Sequence, residues 1–132
     1  MSGDETTFRL MRTVGGVPHV AFVAVRVEPC DRDEVAVSDE VFAWRRAAYR
    51  PDAKSGPADQ PMVAEAVEGV WYVLRRRAGE TCRVTVTTIR YFTVDTGVGD
   101  VKLAAAGATC QALGVELDRP PYIDTSAVMF PD

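Results

Sequence analysis

The spacing of hydrophobic residues changes along the chain, and each spacing predicts a different kind of element. Residues 20–27 form a nearly continuous β-branched run, which is typical of a strand shielded on both faces. Residues 81–92 alternate between apolar and polar positions, as expected of a strand with one buried face. Residues 7–14 are predicted to form a first strand, and residues 35–37 a short edge strand. The pattern therefore predicts four strands.

Two other segments have apolar residues at helical spacing. The first helix is predicted to begin at Asp59 as its cap, with Pro61 in the first turn, where a missing N–H costs nothing. Its buried stripe consists of Val63, Ala66, Val67, Val70 and Leu74. The second helix is predicted over residues 100–113, with Asp100 in a capping role and Gly114 as its end. Its small buried face, which lets it lie close to a sheet, consists of Val101, Ala104, Ala105, Ala108 and Ala112.

Turn signals separate these elements. Gly15 and Gly16 suit a tight turn after the first strand because glycine adopts positive φ readily. Residues 41–49 are ambiguous in period, residues 50–60 have the composition of a loop, and residues 115–117 that of a short strand.

The order strand, strand, strand, helix, strand, helix predicts an α+β fold. We expect one mostly antiparallel sheet of about four strands, with two helices on one face. No internal boundary is visible, so residues 1–132 are predicted to be a single domain. Its core would span residues 7–122, and residues 123–132 would form a polar, proline-containing tail.

Composition narrows the classes of function. The net charge of −4 argues against bulk, nonspecific nucleic-acid binding, although it leaves room for a local RNA contact. No apolar run approaches the roughly 20 residues of a membrane span, and the acidic N-terminus does not have the pattern of a secretory signal. Three widely spaced cysteines are expected to be reduced thiols, which is typical of a cytoplasmic protein.

Five stretches, in order, carry a resemblance to a known family. They are "VRVEP" (25–29), "VAEAVEGVWYVLRRRAG" (63–79), "CRVTVTTIRYF" (82–92), "GDVKLAAAGATCQAL" (99–113) and "GVELDRPPY" (114–122). Together they resemble domain IV of the translational GTPases, the elongation factor G group, with the tetracycline-resistance ribosomal protection proteins as the closest branch. The resemblance implies a fold like that of ribosomal protein S5 domain 2.

The resemblance also implies which end of the domain functions. In those factors two loops of domain IV reach the decoding region of the small ribosomal subunit. The matching loops are residues 13–19 and 90–97 of this chain. The residues implied in contact with RNA or the ribosome are Gly15, Gly16, His19, Arg90, Tyr91, Phe92, Thr93, Val94 and Asp95.

The chain departs from the family in ways that bear on activity. It has no GxxxxGK[ST] phosphate loop, so no GTPase is expected. Phe92 stands where elongation factor G has a histidine, and Val94 where the protection proteins have a proline. A single histidine, His19, and no convergent acid pair favour neither an enzyme nor a metal site, and no cofactor is expected.

Two hypotheses about function follow. The first is a noncatalytic accessory protein that contacts the small ribosomal subunit or another structured RNA through the two loops. The alternative is a protein-interaction or self-assembly module that keeps the fold without the RNA contact; neither involves a membrane. The predicted basic patch consists of Arg45, Arg46, Arg75, Arg76 and Arg77. If these arginines lie on one face together with Arg90, the RNA-binding hypothesis is favoured. If they instead form ion pairs with acids such as Glu40, Asp52 or Glu65, the protein-interaction hypothesis is favoured.

Overall fold

The structure, a computed structural model, describes residues 4–48 and 57–131. Four strands form the main sheet in the order β1-β2-β4-β3: β1 (Glu5–Val14), β2 (Val17–Pro29), β3 (Glu34–Val37) and β4 (Cys82–Tyr91). Three helices accompany it: α1 (Trp44–Ala48), α2 (Asp59–Arg76) and α3 (Asp100–Leu113). A small hairpin follows, made of β5 (Tyr122–Asp124) and β6 (Ala127–Met129).

The sheet is mixed, and two of its three strand pairings are antiparallel. β1 and β2 form a hairpin whose two-residue turn places Gly15 at φ +58° and Gly16 at +79°. Positive φ at both central positions defines the turn that matches the twist of a hairpin, which explains the two glycines. β4 runs antiparallel to β2, and β3 runs parallel to β4. The predicted α+β class is confirmed in this form.

Helices α2 and α3 both pack against one face of the sheet, which we call the inner face. Strand β4 has a β-bulge opposite Ala24 and Val25, in which Thr87 is the extra residue and pairs with no residue of β2. Because the bulge shifts the alternation of side chains by one residue, Val86 and Ile89 both point into the core. The core is mainly aliphatic and includes Leu10, Val23, Val25, Val70, Val84 and Val101. Apolar burial of this kind supplies most of the driving force for folding.

Small residues allow the two helices to approach closely. A Cβ built on Gly69 of α2 would lie 2.2 Å from the backbone oxygen of Lys102 in α3. On the other side of α3, a Cβ on Gly107 would lie 2.5 Å from the ring of Phe8. Glycine therefore occupies both contacts, and the alanine-rich sequence of α3 is explained by its burial between α2 and the sheet.

Three local predictions were wrong. Ala58, not Asp59, is the N-cap of α2, because the carboxylate of Asp59 bonds to side chains elsewhere. Gly99, not Asp100, is the N-cap of α3. At the start of α3 the N–H groups of Gly99 and Lys102 donate to the carboxylate of Glu65 on α2, at 3.1 and 3.2 Å. Residues 115–117 form no strand, whereas the hairpin at residues 122–129 was not predicted.

The remaining predictions about helices and loops can also be compared with the structure. The ambiguous segment at residues 41–49 contains α1, and most of the predicted loop at residues 50–60 lies outside the described residues. The second predicted helix is confirmed with its bounds, and Gly114 closes it at φ +65°. Within the described ranges, no helix is long and apolar enough to cross a membrane.

Candidate nucleic-acid interface

The two loops at residues 13–19 and 90–97, which we call the tip loops, meet at one end of the sheet. The N–H of Val20 donates to the carbonyl of Asp95 at 3.2 Å. The hydroxyl of Thr96 donates to the carbonyl of Val20 and accepts from the N–H of Phe92. Thr96 therefore ties the second loop both to itself and to the start of β2.

A buried pair of polar side chains holds the same end from inside. His19 Nδ1 lies 2.6 Å from Asp100 Oδ1, and the two residues are only 2% and 0% exposed. Asp100 Oδ2 accepts the N–H of Gly97 at 2.7 Å. The pair fixes the first tip loop to α3 and to the end of the second tip loop.

Sequence reasoning did not find this pair. The family resemblance implied His19 as a contact residue of the first loop, but its imidazole is buried and its Nε2 has no partner among the described atoms. Asp100 lies 81 positions away along the chain. No local pattern joins residues so far apart, and the only sequence signal was an unexplained single histidine at the start of a strand.

The outer surface of the tip is exposed and largely apolar. The side chains of Val94 and Val98 are 88% and 92% exposed, and Val17 is also exposed. Gly15 and Gly16 present bare backbone at the turn, and a Cβ added to either would have no atom within 4 Å. Thr93 and Asp95 complete the exposed part of the second loop. Backbone and small side chains at a tip of this kind allow close approach by a partner.

Consecutive residues at the end of β4 face opposite sides of the sheet. Arg90 and Phe92 lie on the outer face, the one turned away from α2 and α3. Phe92 packs edge-on against Phe22 with ring centroids 6.3 Å apart. The guanidinium of Arg90 lies 5.8 Å from the centroid of Phe22 and 5.0 Å from that of Trp44. These distances are those of cation–π contacts.

Tyr91 points the other way. Its ring packs edge-on against Phe42, and its hydroxyl donates to Asp59 at 2.6 Å. Burial raises the pKa of Tyr91, and the hydrogen bond to Asp59 adds to that rise. Asp59 also receives two hydrogen bonds from Arg45, at 2.7 and 2.6 Å, which raise the pKa of Arg45. The structure thus separates Tyr91 from Arg90 and Phe92, its neighbours in the predicted contact.

The five arginines of the predicted basic patch do not form one surface. Arg45 contacts the first residue of α2, whereas Arg75, Arg76 and Arg77 lie at its end, about 24 Å away at 1.5 Å per residue. Ion pairs join Arg45 to Asp59, Arg46 to Glu40 and Arg77 to Asp33. Aromatic rings hold the other two, with Arg75 over Trp71 and Arg76 over Tyr72.

Two features of the described residues bear on metal binding and thiol chemistry. Within residues 4–48 and 57–131, no group of three His, Cys, Asp or Glu side chains is placed to hold a metal ion. Burial raises the pKa of both Cys82 and Cys110, which keeps these thiols protonated at neutral pH.

Comparison with known proteins gives a structural likeness. No protein-family model matches the sequence, and no curated protein sequence matches it. A crystal structure from Thermus thermophilus matches with a TM-score of 0.57 and 17% sequence identity over 81% of this chain. This chain spans only 15% of the length of that protein. The likeness shows that the two share a fold, which in the larger protein is one part of a longer chain.

Proposed function

We propose that this chain is a noncatalytic RNA-binding domain that contacts the small ribosomal subunit, or another structured RNA, through its tip loops. The observation that carries the proposal is the construction of the tip. Two loops that are 70 residues or more apart along the chain are fixed together from inside by Thr96 and by the pair His19–Asp100. Their outer surface remains exposed.

Preorganised loops suit recognition because they lose little conformational freedom when a partner binds. Backbone at Gly15 and Gly16 can approach a phosphate or a sugar closely. Arg12, which is opposite His19 in the hairpin, and Arg90 flank the loops. Neither has a carboxylate partner within the part of the chain that the structure describes. Arginines without such partners are available for phosphate.

The proposal also includes a relationship to domain IV of the translational GTPases. The α+β architecture agrees with a domain IV-like fold of the ribosomal protein S5 domain 2 type, and the likeness to one part of a larger protein is compatible with it. Because a fold hosts many functions, this agreement supports the proposal less than the tip does. A cytoplasmic location and the absence of catalysis belong to the same proposal.

A protein-interaction or self-assembly module is the second candidate, and two observations favour it. Arg45, Arg46 and Arg77 are paired with acids, so much of the positive charge is neutralised within the chain. The most exposed apolar side chains, Val94 and Val98, lie at the tip and suit a protein partner as well as RNA.

Co-sedimentation with ribosomes and separated subunits, at low and moderate salt, decides between the two candidates. The test variant is Arg12→Gln with Val94→Glu, which removes a positive charge and adds a negative charge at the tip. The control variant is Arg32→Gln with Ala78→Glu, which makes the same change in charge at exposed positions at the opposite end of the sheet.

We expect salt-sensitive pelleting of the wild type and of the control with the small subunit, and loss of pelleting for the tip variant. The absence of pelleting at either salt concentration, or equal pelleting of both variants, would contradict the proposal and favour the protein-interaction module.

A further inference from the structure

The outer face of the sheet has two halves that differ in charge balance. In the half far from the tip, which we call the base half, Arg83 bonds to Glu34 at 2.9 Å and to Glu28 at 3.4 Å. In the half next to the tip, Arg9 and Arg90 have no carboxylate partner among the described residues. In the base half Arg83 is therefore neutralised, and Arg26, which forms no ion pair among the described residues, is directly opposite the acidic residue Glu5. In the half next to the tip, neither Arg9 nor Arg90 is directly opposite an acidic residue.

The strand register aligns these two arginines with an aromatic ring between them. Arg9 of β1 is opposite Phe22 of β2, and Phe22 is opposite Arg90 of β4. Directly opposed residues point to the same face of a sheet. Phe92 and Trp44 extend the set at the edge of β4. We call these five residues the arginine–aromatic row.

The row has the composition of a site that binds unpaired nucleotides. Aromatic rings and guanidinium planes stack on bases, and arginines contact the phosphates between them. Phe22, Phe92 and Arg90 are only half-buried, and Arg9 is exposed, so their surfaces are accessible. Nε of Arg90 is buried and lacks a hydrogen-bond partner among the described atoms, and the guanidinium lies over the rings of Phe22 and Trp44.

We propose that the arginine–aromatic row binds a single-stranded segment of RNA. The row stacks bases on Phe22, Phe92 and the plane of Arg90, and it contacts phosphates through Arg9 and Arg90. Unpaired RNA fits better than a duplex because a duplex keeps its bases stacked on one another. This inference rests on the proposed function and specifies the part of an RNA target that the sheet itself recognises.

The row is continuous with the tip. Met11 and Val20 are paired one step nearer the tip on the same face, and Thr13 and Pro18 follow. Met11 is 67% exposed, which leaves an open path from the row to the tip loops. A single strand that leaves the row in this direction reaches Gly15 and Gly16. The row and the tip loops therefore form one surface, in which the tip contacts structured RNA and the row binds the adjoining unpaired strand.

The test measures fluorescence anisotropy of a labelled single-stranded oligoribonucleotide, and of a labelled hairpin without unpaired ends, over a range of salt concentrations. The test variant is Arg9→Gln with Arg90→Gln. Arg83→Gln is the control because it removes a positive charge from the base half of the same face. A thermal melt of each variant checks that it is folded.

We expect the single strand to bind the wild type and the Arg83→Gln control alike. The test variant should bind about tenfold more weakly, and the slope of log affinity against log salt should fall by about 0.7 for each lost phosphate contact. An unchanged affinity in a folded test variant, or an equal loss in the Arg83→Gln control, would overturn the inference.

The ribosome co-sedimentation assay distinguishes a failure of this inference from a failure of the proposed function. If the wild type pellets with the small subunit but binds no single strand, the inference is wrong and the proposed function stands. If neither RNA nor subunit is bound, both are wrong.

Discussion

The two faces of the main sheet use different chemistry at neighbouring positions of the same strands. On the inner face, aliphatic and small residues such as Val23, Val84 and Ala21 are sealed beneath α2 and α3. On the outer face, the alternate positions carry arginine, threonine and aromatic residues, of which Arg9 and Phe22 are examples. The difference indicates that the inner face determines stability and that the outer face is free to serve binding.

The contrast between an apolar inner face and a polar outer face ends at the tip. His19 belongs to the inner face by register, yet it is polar and meets the equally buried Asp100. A buried polar pair replaces aliphatic packing there because it also fixes Gly97 and thereby the second loop. Substitutions on the inner face should therefore lower the free energy of unfolding strongly, and substitutions on the outer face should change it little.

The largest effect is expected for Asp100→Ala. The substitution removes the partner of His19 Nδ1 and the acceptor of the Gly97 N–H, and each interior polar group left unsatisfied costs about 1–3 kcal/mol. Urea unfolding monitored by circular dichroism measures this cost. Asp95→Ala, at an exposed carboxylate in the neighbouring loop, is the control and should change stability by less than about 0.5 kcal/mol. Equal free energies of unfolding for the two variants would refute the role of the buried pair.

The second effect concerns the contact between α2 and α3. Gly69→Ala should lower the free energy of unfolding by about 3 kcal/mol, because the new methyl group would collide with the backbone oxygen of Lys102. Gly107→Ala should cost only about 1 kcal/mol, since the ring of Phe8 that it meets is a side chain and can move. Thermal or urea unfolding of the two variants gives the comparison. A larger cost at Gly107 would show that the helix contact is looser than the structure indicates.

The third effect depends on pH. Tyr91→Phe removes the hydrogen bond to Asp59 and should cost about 1 kcal/mol near neutral pH. The pKa of Tyr91 is raised in the folded state, so the stability it contributes is fully present below its ordinary pKa of about 10 and is lost as pH rises through the folded value. The difference between wild type and variant should therefore shrink as pH rises above about 10. A constant or growing difference in urea unfolding over this range would contradict the assignment.

The smallest effect is expected on the outer face. Arg9→Gln should change the free energy of unfolding by less than about 0.5 kcal/mol, because Arg9 is exposed and makes no ion pair within the described ranges. Thermal unfolding alongside the RNA titration measures both properties in one variant. A cost above about 1 kcal/mol would mean that this arginine serves the fold, and the separation between the two faces would fail.

Local signals account for what the sequence predicted well. The bounds of α3 follow from the run of alanines that Gly114 ends, and the first hairpin follows from Gly15 and Gly16. The hairpin of β5 and β6 lacked such a signal, since its turn places Thr125 and Ser126, not glycine, at positive φ.

Long-range pairs explain the rest of what the sequence did not predict. Asp59 had the position of a helix cap, but Arg45 and Tyr91, which are distant along the chain, engage its carboxylate. The same holds for His19 and Asp100, whose contact depends on the fold. The arginine–aromatic row likewise became visible only once the strand register had placed Arg9 beside Phe22.

The most direct test of the account is a titration of isotope-labelled protein with single-stranded RNA, followed by amide chemical shifts. The account predicts that the shifts concentrate at the tip loops and at the amides of Arg9, Phe22, Arg90 and Phe92. The amides of the base half, such as Glu34 and Arg83, should be unchanged. Shifts confined to the base half or to α2, or no shifts at saturating RNA, would contradict the claim that this end of the outer face binds RNA.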